Sequence, residues 1–209
     1  MKIILARHGE TEWNVEEVFR GRADVELNET GIKQAELLAE YLSDIKLDAI
    51  YSSPLKRARK TAETIASYHK LNVRIAPGLI DLDFGKWQGL CLQKVRKRYK
   101  ELYTEWVNHP EKVKLPEGES LSDVKERAIA VIDNVVAKYK EAAVLVSHRV
   151  VSKVLICALL GLDNSHFWSI KQDTCGISAF IYENGRFILA EHNNTSYLKS
   201  LRKAPLCDF

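Results

Sequence analysis

Two short stretches of this chain are apolar at every position and then stop abruptly. Ile3-Ile4-Leu5-Ala6 runs into Arg7-His8-Gly9, and Ala143-Val144-Leu145-Val146 runs into Ser147-His148-Arg149. A run of that kind, closed by Gly or Ser, reads as a buried strand with a sharp end. The segments near them alternate in type. Ile32, Ala35, Leu38, Ala39 and Leu42 recur at helical spacing, so residues 30–43 form an amphipathic helix with Asn28 or Thr30 as its cap. Asp48-Ala49-Ile50-Tyr51 reads as a strand ending at Ser52-Ser53-Pro54. Pro54 at a first helical position would open the next helix, which fades near Tyr68-His69. Val73-Arg74-Ile75 is a third short strand. The order β-α-β-α-β predicts an α/β fold with a parallel, helix-covered sheet and right-handed crossovers. In such sheets ligands bind beyond the carboxyl ends of the strands. Both His8 and His148 stand at such ends.

The remaining stretches are read more coarsely. Residues 9–28 are loop-like. Residues 77–119 are irregular and hold Asp81, Asp83 and Phe84-Gly85-Lys86-Trp87-Gln88-Gly89, with Trp87 a candidate for lining a pocket. A basic helix near 90–100 reads as a solvated face, and a second helical piece follows near 101–108. Ser120 caps a helix whose apolar stripe is Leu121, Val124, Ala128, Val131, Ile132 and Val135. The helix at 150–160 is apolar nearly all round and should be buried. Residues 177–190, with Asn184-Gly185 at their centre, read as a β-hairpin whose apolar surface could pair two copies as a homodimer. No repeat or linker divides the chain, so residues 1–209 are expected to form a single domain, with a loosely attached tail from Leu201.

Composition excludes several classes. Of 209 residues, 46% are hydrophobic and 28% charged, the balance of a soluble globular chain. The net charge of +3 does not argue for nucleic acid but suits an anionic small substrate. No apolar run approaches the ~18 residues of a membrane span, and the apolar start is too short for a signal peptide. Cys91, Cys157, Cys175 and Cys207 are scattered, with no zinc or disulfide spacing, which points to a reducing, cytoplasmic setting.

The strand ends and the loops beside them offer Arg7, His8, Arg57 and His148, with Asn14 and Arg20 nearby. That is an excess of cation, and a dianionic phosphoryl group would satisfy it, since guanidinium matches phosphate oxygens bidentately. Phosphoryl transfer proceeds either with metal held by carboxylates or with a side-chain nucleophile amid cations. The chain lacks a G-x-x-x-x-G-K-[ST] loop and a clear carboxylate cluster, which leaves the second route. A neutral His can be that nucleophile, and neighbouring Arg charges would keep it neutral. The leaving alkoxide would take its proton from Asp81 or Asp83.

Arg7-His8-Gly9-Glu10-Thr11-Glu12-Trp13-Asn14 resembles the signature of the histidine phosphatase superfamily, in its phosphoglycerate mutase-like branch. The resemblance continues in order through Phe19-Arg20-Gly21, Asp24 to Gly31, Ser52 to Ala58, Asp81 to Gly89, Gly118-Glu119-Ser120 and Val146-Ser147-His148. It implies a three-layer αβα sandwich with a mostly parallel central sheet. It implies His8 as the nucleophile carrying a transient phosphohistidine, Arg7, Arg57 and His148 around the phosphate, and Asn14 as a further donor. Arg20 and Gly21 fall in the substrate loop, and Asp81 would give and then take the proton. The resemblance implies chemistry without a metal, and no cofactor is expected for this chain. The chain departs from the family in carrying Asp81 where Glu is usual, and in placing Arg149 after the second His and Tyr197 where His is common.

The reading is therefore a metal-independent phosphatase for a small phosphomonoester: phosphoserine, a phosphoglycerate, a sugar phosphate or alpha-ribazole phosphate. The alternatives are a cofactor-dependent phosphoglycerate mutase and, more remotely, a non-catalytic binding protein. Mutases of the family have a longer region after the acid loop and a different version of that loop, which favours hydrolysis.

Overall fold

The computed structural model describes residues 1–201. The tail expected to be loosely attached lies, beyond Leu201, outside the described residues, as does Cys207. One six-stranded sheet is formed by β1 (Lys2–Arg7), β2 (Ala49–Ser52), β3 (Val73–Ile75), β4 (Ala142–Ser147), β5 (Ile177–Glu183) and β6 (Arg186–Asn194), in the order β3-β2-β4-β1-β5-β6. The first four in that order are mutually parallel, and β5 and β6 form an antiparallel hairpin added beside β1. Asn184 and Gly185 turn the hairpin with φ of 51° and 76°, the left-handed pair that a two-residue primed turn requires. The helices are α1 (Glu12–Val15), α2 (Glu29–Leu42), α3 (Lys56–His69), α4 (Leu92–Arg98), α5 (Lys100–Asn108), α6 (Leu121–Lys138) and α7 (Arg149–Leu159).

The apolar runs are explained by what lies on each side of them. Ile3, Leu5, Ala143 and Leu145 face a core shared with α6 and α7. Ile4, Ala6, Val144 and Val146 face a second core shared with α2 and α3. Successive side chains of a strand point to opposite faces, so a strand covered on both faces must be apolar at both parities. Each Val, Leu or Ile side chain buried this way contributes about 1.5–3 kcal/mol over leaving it in water. The result is the expected three-layer α/β sandwich.

Local differences from the sequence reading have identifiable causes. Helix α3 begins at Lys56, not at Pro54. Ser53 donates its N–H to the Val146 carbonyl and its Oγ accepts from Leu55 N–H, so the chain stays extended through Leu55 before it coils. The stretch 9–28 is not wholly loop, because Asn14 Oδ1 accepts from both the backbone and the hydroxyl of Thr11 and closes the short helix α1. Asn28, not Thr30, caps α2 by accepting from Gly31 N–H. Ser120 caps α6, as read. Trp87, a candidate for lining a pocket, is instead fully buried among Phe19, Tyr99, Tyr103 and Trp106. The basic side chains of α4 are solvated, with Arg96 and Arg98 lying over the Tyr103 and Tyr99 rings.

Candidate active site

The parallel register of β1 and β4 pairs Arg7 with Ser147, so His8 and His148 leave adjacent strands side by side. Their ring centroids are 5.2 Å apart. Strand β2 lies on the other side of β4, and just past its end Ser53 Oγ lies 2.7 Å from His148 Nε2. Three strand ends therefore meet at one point, although their residues, His8, Ser53 and His148, are far apart in the chain.

His8 is held from both ends of its ring. Its Nδ1–H donates to the Gly9 carbonyl at 2.6 Å, which fixes the tautomer and leaves a lone pair on Nε2. That lone pair accepts from Arg57 Nε–H at 3.3 Å. Burial drives the imidazole well below its ordinary pKa of 6.5, and the charges of Arg57, Arg7 and Arg20 push the same way against the Gly9 hydrogen bond. A neutral imidazole with a bare Nε2 is a nucleophile. The loop behind it is packed too closely for side chains: a Cβ on Gly9 would come 2.4 Å from the Gly31 carbonyl oxygen, and one on Gly31 would come 2.1 Å from that of Glu10. Gly9 N–H donates to Thr61 Oγ1 of α3.

Arg57, in the first turn of α3, is the hub. Its Nη2 donates to Asp81 Oδ2 at 3.1 Å and to the Gly21 carbonyl at 2.8 Å, and its Nη1 donates to the Ala23 carbonyl at 2.8 Å. One buried guanidinium thus ties the His8 ring, the loop after Arg20 and the acid loop together. Arg7 is fully buried and donates from Nη1 to the Gln172 carbonyl at 2.7 Å. Asn14 is buried with Nδ2 lacking a hydrogen-bond partner, a donor free for an incoming oxyanion.

The sequence left open whether Asp81 or Asp83 serves the site, and the geometry brings in Asp81. Its Oδ2 lies 3.1 Å from Arg57 and 3.7 Å from His148 Nδ1, while Oδ1 accepts from Leu82 N–H. Burial raises its pKa above the ordinary 3.8, although Arg57, Arg20, the Leu82 N–H and Arg127 oppose this. Asp83 turns away. Its carboxylate accepts from Gly85 N–H and pairs with Arg22 at 3.4 Å. His148 is driven well below 6.5 by burial, then by the charges of Arg57, His8, Arg20 and Arg127. Its Nε2 lies in hydrogen-bond contact with the Ser53 hydroxyl, and its Nδ1 has no hydrogen-bond partner and faces Asp81.

Two of the named residues play quieter parts. Arg20 donates to the Trp13 carbonyl at 2.8 Å, and its charge is felt by His8, Asp81 and His148. Gly21 presents its carbonyl to Arg57. Arg149 lies with its guanidinium over the Trp168 ring. Tyr197 donates to the Cys175 carbonyl and stacks on Tyr41, which makes its segment a structural end piece. Among the described residues no three His, Cys, Asp or Glu side chains converge as a metal site.

Sequence reasoning missed Ser53, Thr61 and Arg127. Arg127, on α6, donates to the carbonyls of Gly78, Ile80 and Asp81 and to both carboxylate oxygens of Glu119. The signal that could have found it was Glu119 in Gly118-Glu119-Ser120: a carboxylate just before a cap, two helical turns from an Arg on the same helix.

The family model for the Histidine phosphatase superfamily (branch 1) matches residues 3–195. Phosphoserine phosphatase 1 of Hydrogenobacter thermophilus is 40% identical over 199 residues, covering 95% of this chain and 94% of that protein. Bacillus stearothermophilus YhfR superposes with a TM-score of 0.90 at 28% identity, over 95% of this chain and 99% of that one. The mycobacterial glucosyl-3-phosphoglycerate phosphatase, solved as a complex with VO3, superposes with a TM-score of 0.87 at 28% identity, over 93% of this chain and 99% of that one.

Proposed function

This chain belongs to the histidine phosphatase superfamily and is a phosphomonoester hydrolase, and from that premise we propose that it works through a phosphohistidine on His8 with Asp81 as its proton carrier. The observation that carries this reading is the tautomer of His8: Nδ1–H is spent on Gly9, and the bare Nε2 faces the same guanidinium that holds Asp81.

In the first step the Nε2 lone pair attacks phosphorus and the bond to the substrate oxygen breaks. The protonated Asp81 carboxyl gives its proton to that oxygen, so the alcohol leaves neutral. Arg7, Arg57, Asn14 and His148 surround the phosphoryl oxygens and hold their charge in a buried site, where such donors are worth most. As the phosphoryl group arrives, the Nε–H of Arg57 exchanges the His8 lone pair for a phosphoryl oxygen. In the second step the Asp81 carboxylate takes a proton from water, the resulting hydroxide attacks phosphorus, and the P–N bond breaks. His8 regains its lone pair and Asp81 its proton. The sum is ester plus water to alcohol plus phosphate, and no metal takes part in any step.

The substrate is proposed to be a small phosphorylated metabolite, with L-phosphoserine the first to test. The 40% identity to a phosphoserine phosphatase over nearly both chains supports that choice, and Arg20 beside the pocket suits a substrate with a second anionic group. Phosphoglycerates, sugar phosphates and alpha-ribazole phosphate follow in the same screen, read as free phosphate against mutase turnover with a bisphosphate primer. The absence of zinc or disulfide spacing supports a cytoplasmic setting, and the mild net charge supports working without nucleic acid. Exposed Ile181 and Ile188 on the edge hairpin support pairing of two copies there, which sedimentation would report.

The decisive experiment is a rapid alkaline quench during turnover. It should trap a base-stable, acid-labile phosphate on the peptide holding His8, and His8→Ala should abolish both the label and hydrolysis. A phosphoenzyme labelled elsewhere, or an active His8→Ala protein, would overturn the reading.

A further inference from the structure

The stretch from Pro77 to Phe84 that carries Asp81 has no regular structure beyond one 3-10 turn, Pro77–Leu79, yet four consecutive backbone carbonyls of it are held by side chains. Arg127 Nη1 donates to Gly78 O at 2.8 Å and to Ile80 O at 2.6 Å, and Nη2 donates to Asp81 O at 3.1 Å. Ser147 Oγ–H donates to Leu79 O at 2.7 Å. A loop in which every carbonyl from 78 to 81 has its own side-chain donor is held residue by residue, whatever its intrinsic propensity.

The clamp is itself braced. Glu119 accepts from Arg127 Nε at Oε1 and from Arg127 Nη2 at Oε2, each at 3.0 Å, a bidentate pair that orients the guanidinium plane. The same carboxylate accepts from Asp83 N–H at 3.0 Å and from Arg22 Nη2 at 2.8 Å. It therefore grips the acid loop on the far side of Asp81, while Arg127 grips the near side. Burial raises the pKa of Glu119, but the hydrogen bonds from Arg127 and Asp83 N–H and the charges of Arg127 and Arg22 outweigh it and hold the carboxyl below the ordinary 4.5. The carboxylate is thus the anionic anchor of the arrangement.

We propose that Arg127, oriented by Glu119, is a positioning residue for proton transfer: it fixes the backbone on which Asp81 reaches between Arg57 and His148. The hydrogen bonds of Arg127 go to the acid loop and Glu119, so its hold on the site passes through Asp81, while its charge also reaches His148. Asp is one methylene shorter than Glu, so its carboxyl has less freedom to recover a lost position by changing rotamer. A backbone clamp compensates for that. This inference rests on Asp81 being the proton carrier.

The experiment compares kcat/KM, which reports the first phosphoryl transfer, for an alkyl phosphate and for p-nitrophenyl phosphate, whose leaving group needs no proton. Arg127→Ala should lower the alkyl value roughly 10- to 100-fold, within the about 10²–10⁴-fold that a general acid is worth, and the aryl value less than about threefold. In an Asp81→Asn background, adding Arg127→Ala should change the alkyl value by less than about twofold, because the two substitutions remove one function. Arg127→Lys, which keeps charge but not the planar fork, should fall between native and Arg127→Ala on the alkyl ester. If Arg127→Ala does not fold by thermal melting, Arg127→Lys and Glu119→Gln carry the same comparison. Equal losses on both esters, or a full additive loss on Asp81→Asn, would overturn the proposal while leaving hydrolysis through His8 standing. A native protein that hydrolyses neither ester would instead overturn the functional reading itself.

Discussion

Arg57 Nε–H meets His8 Nε2 at 3.3 Å, while Nη2 of the same guanidinium meets Asp81 Oδ2 at 3.1 Å. One cation therefore touches both the lone pair that would attack phosphorus and the carboxyl that would protonate the leaving group. This fixes their separation and makes the site sensitive to three side chains acting as a unit.

Asp81→Asn keeps the size of the side chain and removes its acidity. It should lower kcat/KM for alkyl phosphates by about 10²-fold or more, and for aryl phosphates much less. Steady-state rates across esters of graded leaving-group pKa provide the check, and equal slowing across the series would argue that Asp81 is not the acid. Asp83→Asn should leave the series nearly unchanged, since Asp83 is occupied with Gly85 and Arg22.

Stability should depend on pH through the two buried imidazoles. His8 and His148 are held well below 6.5 when folded and return to about 6.5 when unfolded. As pH falls below 6.5, the unfolded chain binds protons that the native state refuses, so stability is lost. Each His contributes up to about 1.4 kcal/mol per pH unit until its folded pKa is reached. Asp81 has the opposite sign, because its raised pKa lets the native state bind a proton first, and it offsets part of the loss between 3.8 and that raised value. Thermal melting across the acid range should show the native Tm falling, and His148→Gln should fall less steeply. Parallel curves would mean that His148 is not held neutral.

Gly9→Ala should damage activity beyond its cost in stability. The new Cβ meets the Gly31 carbonyl oxygen at 2.4 Å, a backbone atom that cannot turn aside as a side chain can. Relief by shifting the loop should cost about 1–3 kcal/mol. The Gly9 carbonyl that orients His8 moves with it, and a displacement near 1 Å can lower kcat by about 10²-fold. Melting and kcat measured together on the variant separate the two effects.

Activity should survive exhaustive treatment with EDTA, because every charge in the proposed steps is met by Arg, Asn or His. Phosphate release before and after chelation, with divalent metal added back, is the measurement. Loss that only metal restores would sink the metal-free mechanism.

Much of this architecture was legible in the residues. Strands β1 and β4 announce themselves because burial on two faces demands apolar side chains at both parities, and α2 and α6 because one-sided burial imposes helical spacing. Asn28 and Ser120 mark helix starts by the same local chemistry that makes them good caps. The start of α3 was misplaced because what keeps Leu55 extended is a pairing of Ser53 with Val146, more than ninety positions away. Trp87 stayed a candidate for the pocket because a loop sequence does not reveal that an aromatic cluster will close over it.

By itself the sequence determined which groups are present: a His after each of two buried strands, a surplus of Arg, and two carboxyls in one loop. These follow from local composition and spacing. Only the tertiary structure decided how they act together. The insertion of β4 between β1 and β2 sets His8 beside His148, Arg57 reaches across to both His8 and Asp81, and Arg127 selects the loop conformation that turns Asp81 inward and leaves Asp83 outside. The physical reason is that these placements rest on strand register and on side-chain contacts to distant backbone carbonyls, and neither has a local sequence signature.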